Sequence, residues 1–264
     1  MNLEEFARFH LPALEEDEVR FNMQIAVLSA AMKDLPNGFA FWSLGEPGHC
    51  ATRSPGRAIL LGNVTKAECQ RLAEDTMRES PGVIGADDGP HWFAERATTL
   101  GAKFDAPIPN RIHLLASPPR YPGAPGSVRE VTVADAPLLF EWFNAFHREA
   151  VPHDPAPEKH HVEKAAGSGR YLFWTVDGQP VSVAGIARRL RHTGCVAPVY
   201  TPPDRRNRGY AGSATAAVVE RLFAEGKTAI CLYTDLRNPI SNRCYAKIGF
   251  KPYCDSWHYL RARS

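Results

Sequence analysis

A chain of 264 residues is long enough for one or two domains, and 44% apolar residues supply ordinary hydrophobic cores. Its net charge of +2 is too small for a protein whose main task is gripping a nucleic-acid backbone. The first residues, Met1 to Glu5, are acidic rather than basic, and no apolar run reaches the length of a membrane span. A cytoplasmic protein with no membrane or nucleic-acid partner is expected, as a monomer or homodimer. Six cysteines, Cys50, Cys69, Cys195, Cys231, Cys244 and Cys254, form no C-x-x-C pair and several lie in apolar runs, so neither disulfides nor a metal are expected.

In the first half, Leu3, Phe6, Ala7 and Phe9 predict a helix and Phe21 to Met32 a second one. Ala58 to Leu61 reads as a strand, Thr65 to Arg78 as a helix, Val83 to Gly85 as a short strand, His91 to Leu100 as a helix and Arg111 to Ala116 as a closing strand. The stretch from Ser117 to Gly126 holds neither helix nor central strand, because its prolines lack N–H donors and its glycines resist ordering. The expected division is therefore a first domain at 1–117, a linker at 118–126 and a second domain at 127–264.

In the second half, Thr132 caps a helix with Asp135 three residues on, and Leu138, Leu139, Trp142, Phe143 and Phe146 give it an apolar face. A more polar helix is expected from Pro157 to Ala166. Tyr171 to Val176 is an apolar strand, Asp177-Gly178 a hairpin turn, and Val181 to Ala187 the returning strand. Pro198 falls inside the next apolar run, which ends at Val199-Tyr200, and marks either a bulge or a sheet edge.

After that run, Arg206-Asn207-Arg208-Gly209-Tyr210-Ala211 leads into a small-residue helix. Strand, Gly-containing loop and helix start form an anion site, since first-turn N–H groups and the helix dipole favour negative charge. Three arginines in a turn also suit an ordinary solvated loop. Ala229 to Thr234 is a further strand, and Asn238-Pro239 and Gly249 mark the two ends of a short helix. Asn238, Asn242 and Tyr245 share one side of it at helical spacing.

These two blocks resemble the GCN5-related N-acetyltransferases (GNAT). Arg206-x-x-Gly209-x-Ala211 looks like their acetyl-CoA pyrophosphate loop, and Asn238, Ser241, Tyr245, Gly249 and Phe250 match their later pattern, with Ser241 in place of the usual Ala. The resemblance covers roughly Val128 to Leu260. It implies an α+β fold with a mixed, mostly antiparallel sheet flanked by helices. The first half looks like a degenerate copy, as in some two-domain bacterial members. No Arg-x-x-Gly-x-Ala loop is present there, so no cofactor is expected in it, and its role is either packing or forming a wall of the acceptor pocket.

By resemblance, the activity is acetyl transfer from acetyl-CoA to a primary amine of a small molecule or peptide by direct transfer in a ternary complex. Backbone groups around Val199, Tyr200 and Thr201 would line the acetyl-pantetheine arm, and the residues Arg206, Asn207, Arg208, Gly209, Tyr210 and Ala211 would cradle the pyrophosphate. Asn238 and Asn242 would contact the cofactor. Tyr245 looks like the general acid that protonates the departing sulfur, a role suited to a phenol that stays protonated at neutral pH; its alternative is a core aromatic. Among Glu149, His147, His153 and Asp154, Glu149 is the first candidate for general base, though a water relay is an alternative. Asp235 either faces the acceptor or caps a turn. His153, His160 and His161 raise the question of a metal, but adjacent histidines are expected to point to different helix faces. Two other readings are a non-catalytic acyl-CoA-binding regulator and a basic nucleic-acid module on Arg188, Arg189, Arg191, Arg205, Arg206 and Arg208, for which no recognition motif is present.

Overall fold

The computed structural model describes residues 1–121 and 123–262 and divides into two compact units. The first comprises Met1–His113, Tyr233–Asn238 and Pro252–Ser264, and the second Leu114–Leu232 and Pro239–Lys251.

Along the first half run helices α1 (Leu3–Glu15) and α2 (Asn22–Lys33), strands β1 (Ala40–Ser43), β2 (Cys50–Arg53) and β3 (Ile59–Leu61), α3 (Lys66–Thr76), β4 (Gly82–Ala86), α4 (Gly89–Thr99) and β5 (Ile108–Leu115). α1 starts where Asn2 and Glu5 cap each other's N–H groups. Strands β1 and β2, neither of them expected, pair antiparallel, as do β2 and β3, whereas β3 and β4 are parallel at Ile59↔Val83 and Leu60↔Ile84. Both are short and set among Gly and Pro residues, so their alternation carries little signal. Ile59, Leu61 and Val83 pack against Cys69, Leu72 and Ala73 of α3 and Phe93 and Ala97 of α4.

The second half runs β6 (Ser127–Glu130), α5 (Ala136–Ala150), α6 (Lys159–Ala165), β7 (Tyr171–Val176), β8 (Gln179–Arg189), β9 (Thr193–Tyr200), α7 (Tyr210–Ala224), β10 (Ala229–Asp235), α8 (Pro239–Ile248) and β11 (Lys251–Leu260). From α5 onward this repeats the order of the first half: two helices, three strands, then helix, strand, helix, strand. The expected cap is present: Thr132 and Asp135 bracket a single 3₁₀ turn that runs into α5, and Arg129 grips the same carboxylate at 2.7 and 2.9 Å. Within the second unit the strand order is β10-β9-β8-β7-β6. Ala214, Val218, Val219 and Leu222 of α7 cover one face of this sheet through Ala184, Ile186, Val196, Ile230 and Leu232. Leu139 and Trp142 of α5 cover the other through Phe173 and Val183, with the Trp142 ring edge-on to Phe173 at 5.3 Å.

The linear division at 1–117 and 127–264 needs correction. β11 closes the chain yet pairs antiparallel with β4, from Ser256↔Ala86 to Leu260↔Gly82, so Pro252 onward belongs to the first unit. Tyr233–Asn238 joins it as well. Strand pairing is long-range, and a composition break marks where a chain is irregular, not which strands meet across it. Of the expected linker, Pro122 lies outside the described residues.

Candidate functional site

β9 is an interior strand of the second unit, between β8 and β10, so Pro198 does not mark a sheet edge. It sits in a bulge. The β8 register steps from Ala184↔Val199 to Ile186↔Val196, leaving Ala197 and Pro198 opposite the single residue Gly185. On its other side β9 pairs with β10 only at Thr193↔Ala229, Gly194↔Ile230 and Cys195↔Cys231. The parallel ladder stops there, and Ala197, Pro198 and Val199 are half-buried rather than sealed by a neighbouring strand.

Beyond Tyr200 the chain turns. The Thr201 hydroxyl pairs with Ser182 at 2.8 Å, and the Thr201 carbonyl accepts from Arg206 Nε at 2.9 Å. Residues 203–209 are exposed. Two of them lie in the left-handed region, Asn207 at φ 62° and Gly209 at φ 82°. Gly209 is also the N-cap of α7, and no side chain caps that helix. The first-turn N–H groups of α7 are thereby left for a ligand or solvent, in an orientation and field that suit an anion.

The three loop arginines differ in what they hold. Arg205 pairs with Asp204 at 3.0 Å, and Arg206 reaches Glu149 at 2.6 Å. Arg208 is exposed and makes no ion pair among the described residues. Glu149, in the last turn of α5, is therefore held by the loop through a charge-assisted bond. The Tyr200 hydroxyl lies 3.5 Å from its other oxygen, and burial first, then the Glu149 charge, push this phenol up from its ordinary value. His147 contacts the Asp154 carbonyl at 2.7 Å and so closes the loop that follows α5.

α8 has the predicted ends, Pro239 at its start and Gly249 at φ 114° after its last turn. Ser241, Asn242, Cys244 and Tyr245 are half-buried along one side of it. The Tyr245 ring lies edge-on to Phe250 at 6.1 Å and packs on the core formed with α7. Burial, with Cys244 beside it, raises this phenol above its ordinary value. Asn238 falls with the first unit, its N–H bonded to the Asp235 carbonyl at 3.0 Å. Asp235 takes the Arg237 N–H at 2.7 Å and its guanidinium at 2.8 and 3.0 Å, the bonding of a turn carboxylate.

Adjacent histidines do not diverge as expected. At the start of α6 the rings of His160 and His161 are 3.9 Å apart, and both approach Glu158, at 3.4 and 3.7 Å. These three exposed residues form the one group of metal-ligand geometry among the described residues; His153 is not in it. Among the described residues no helix is long and apolar enough to cross a membrane. All six cysteines are free thiols.

Residues 136–250 match the acetyltransferase (GNAT) family. Residues 136–250 form a GNAT domain. No curated protein matches the sequence. Solved structures that share the GNAT fold extend the likeness to nearly the whole chain. A GCN5-related N-acetyltransferase from Sphaerobacter thermophilus is similar at a TM-score of 0.64 and 16% identity, over 90% of this chain and 85% of that one. Another from Kribbella flavida gives a TM-score of 0.61 at 17% identity, over 90% and 95% of the two chains. A Drosophila protein reaches a TM-score of 0.68 at 13% identity, over 98% and 97%. The GNAT match begins at the first residue of α5 and ends at Phe250, so it spans the bulged strand, the loop and α8. The grip of Arg206 on Glu149 leaves no trace in the sequence, because nothing local links residues 57 positions apart.

Proposed function

We propose that the chain is an acetyl-CoA-dependent N-acetyltransferase that moves the acetyl group from sulfur to a primary amine of a small molecule or peptide, within a ternary complex. The observation that carries this reading is the pairing, in one unit, of a parallel ladder that ends at Cys195↔Cys231 with the uncapped helix start at Gly209. The residues present fit the cofactor. The β9 backbone left unpaired on its β10 side beyond Cys195 suits the two amides of a pantetheine arm, and the N–H groups from Tyr210 to Gly212 with Arg208 suit a diphosphate. Bound there, acetyl-CoA supplies a thioester whose carbonyl carbon the amine attacks.

Three demands fall on this chain's residues. Backbone N–H groups around Val199, Tyr200 and Thr201 stabilise the charge that grows on the carbonyl oxygen. The Tyr245 hydroxyl gives its proton to the departing sulfur, and its raised pKa keeps that proton in place until charge develops there. Glu149 takes the amine's proton, directly or through water, which requires Arg206 to let go of it. A diphosphate offers Arg206 an equivalent partner, so filling the loop frees the carboxylate.

Calorimetric titration with acetyl-CoA followed by a CoA-release screen over amines and amino acids tests the proposal. Saturable binding and release with at least one amine support it. Binding without release from any acceptor favours a regulator, and no binding at all overturns the reading of the loop.

A further inference from the structure

The Pro/Gly-rich stretch has the composition of a spacer, yet part of it is docked on the start of α7. The Tyr121 hydroxyl donates to the Gly209 carbonyl at 3.2 Å. Its ring lies so close to Gly212 that a Cβ placed there would come within 2.5 Å of the hydroxyl oxygen. Ala124 N–H donates to Ser213 Oγ at 2.7 Å, and Ser213 in turn donates its own N–H to Gly209 O at 3.0 Å. Trp174 of β7 holds the same stretch through its indole N–H on the Pro125 carbonyl, at 3.0 Å.

Why the Gly209 carbonyl matters follows from peptide geometry. In a planar trans peptide the C=O and the next residue's N–H point in opposite directions. Fixing the Gly209 oxygen therefore fixes the direction of the Tyr210 N–H, the first donor of α7. Glycine leaves this peptide plane free to rock, because no Cβ restricts its dihedrals. The carbonyl already accepts from the Ser213 N–H at 3.0 Å and the Ser213 hydroxyl at 3.4 Å, both from α7 itself; the third bond, from a phenol on a different segment held by its own packing against the core, ties the plane from outside the helix and removes that freedom.

We infer that Tyr121 is a positioning residue for the diphosphate-binding loop, setting the Tyr210 N–H toward the anion. This rests on the acetyl-CoA reading. Gly212 is then glycine for a tertiary reason, since any side chain there displaces the phenol.

The test uses the full-length protein and CoA. Calorimetry on Tyr121→Phe, which keeps the ring and loses only the hydroxyl, should give a Kd for CoA about three- to tenfold higher, the range for one lost hydrogen bond. The melting temperature should stay unchanged, and the CoA-induced shift of the Tyr210 amide in a nitrogen–proton correlation spectrum should shrink. Gly212→Ala should reproduce both changes with the hydroxyl still present. An unchanged Kd in Tyr121→Phe, or an altered Kd with the Tyr210 shift intact, overturns the inference while leaving the cofactor reading standing. If the wild-type protein itself fails to bind CoA, the cofactor reading goes first and this inference with it.

Discussion

α3 and α7 follow a parallel-paired strand at the same place in the repeated element order, and their first turns are built in opposite ways. α3 is closed by its own side chains: Glu68 N–H donates to the Thr65 hydroxyl at 3.3 Å, and Thr65 N–H donates to the Glu68 carboxylate at 2.7 Å. Burial works against the charge of Glu68, but the Thr65 N–H and His49, whose Nδ1 lies 3.0 Å away, keep its carboxyl below the ordinary value. An anion already occupies that helix start. α7 begins instead at a left-handed glycine with no side-chain cap, after the longer connection 201–209, exposed from residue 203 onward. The same supersecondary unit thus yields a sealed terminus in one case and an open one, in a field that suits an anion, in the other, and a few residues make the difference.

That contrast can be tested at both ends. The largest effect is expected from Tyr245→Phe in the open unit. Loss of a general acid should lower kcat by about a hundredfold or more with little change in acetyl-CoA affinity, as steady-state kinetics beside calorimetry would show. Unchanged turnover would leave Tyr245 a core aromatic. Next comes Gly209→Val, which places a β-branched residue at φ 82° and should weaken CoA binding by about tenfold or more, given the cost of the left-handed region. Normal affinity in that variant would mean that the open start of α7 is not the diphosphate site. Thr65→Ala unseals α3 and should destabilise the protein by about 1 kcal/mol in denaturant unfolding, with CoA affinity untouched. If it instead altered CoA binding, the two helix starts would not be separate in function.

The smallest effect concerns the other sealed start, at Asp135. The Arg129 side chain first, and the Thr132 donors after it, hold this carboxyl well below the usual carboxylate range. A depressed folded-state pKa stabilises the fold above the unfolded value of about 3.9 and loses that contribution as pH falls toward the folded value. The stability gap between wild type and Asp135→Asn should accordingly be constant near neutrality and narrow below about pH 4, as urea titrations across pH would reveal. A gap independent of pH would show that Asp135 acts by shape and hydrogen bonding alone.

Much of this arrangement was legible before any coordinates. Asn238-Pro239 and Gly249 marked the ends of α8, Thr132 and Asp135 the entry to α5, and Gly209 the start of α7, because caps and positive-φ positions are chosen by residues within a turn of one another. The seal on α3 was open to the same reasoning, since Thr65 and Glu68 have the spacing of a capping box. β1 and β2 were not, being too short to show a period.

Local physics, then, decided on the sequence alone that a helix starts at the loop after β9, that a glycine stands at its cap, and that a short helix bounded by Pro239 and Gly249 follows; the acyltransferase likeness of that block rested on its resemblance to a family motif. Tertiary structure decided what those pieces hold: the last strand against β4, Glu149 against Arg206 across 57 residues, and Tyr121 against Gly209 across 88. Capping and periodicity act over a few residues and leave a trace in the sequence; partners chosen by packing and chain closure act over many, and their choice emerges only when the chain is folded.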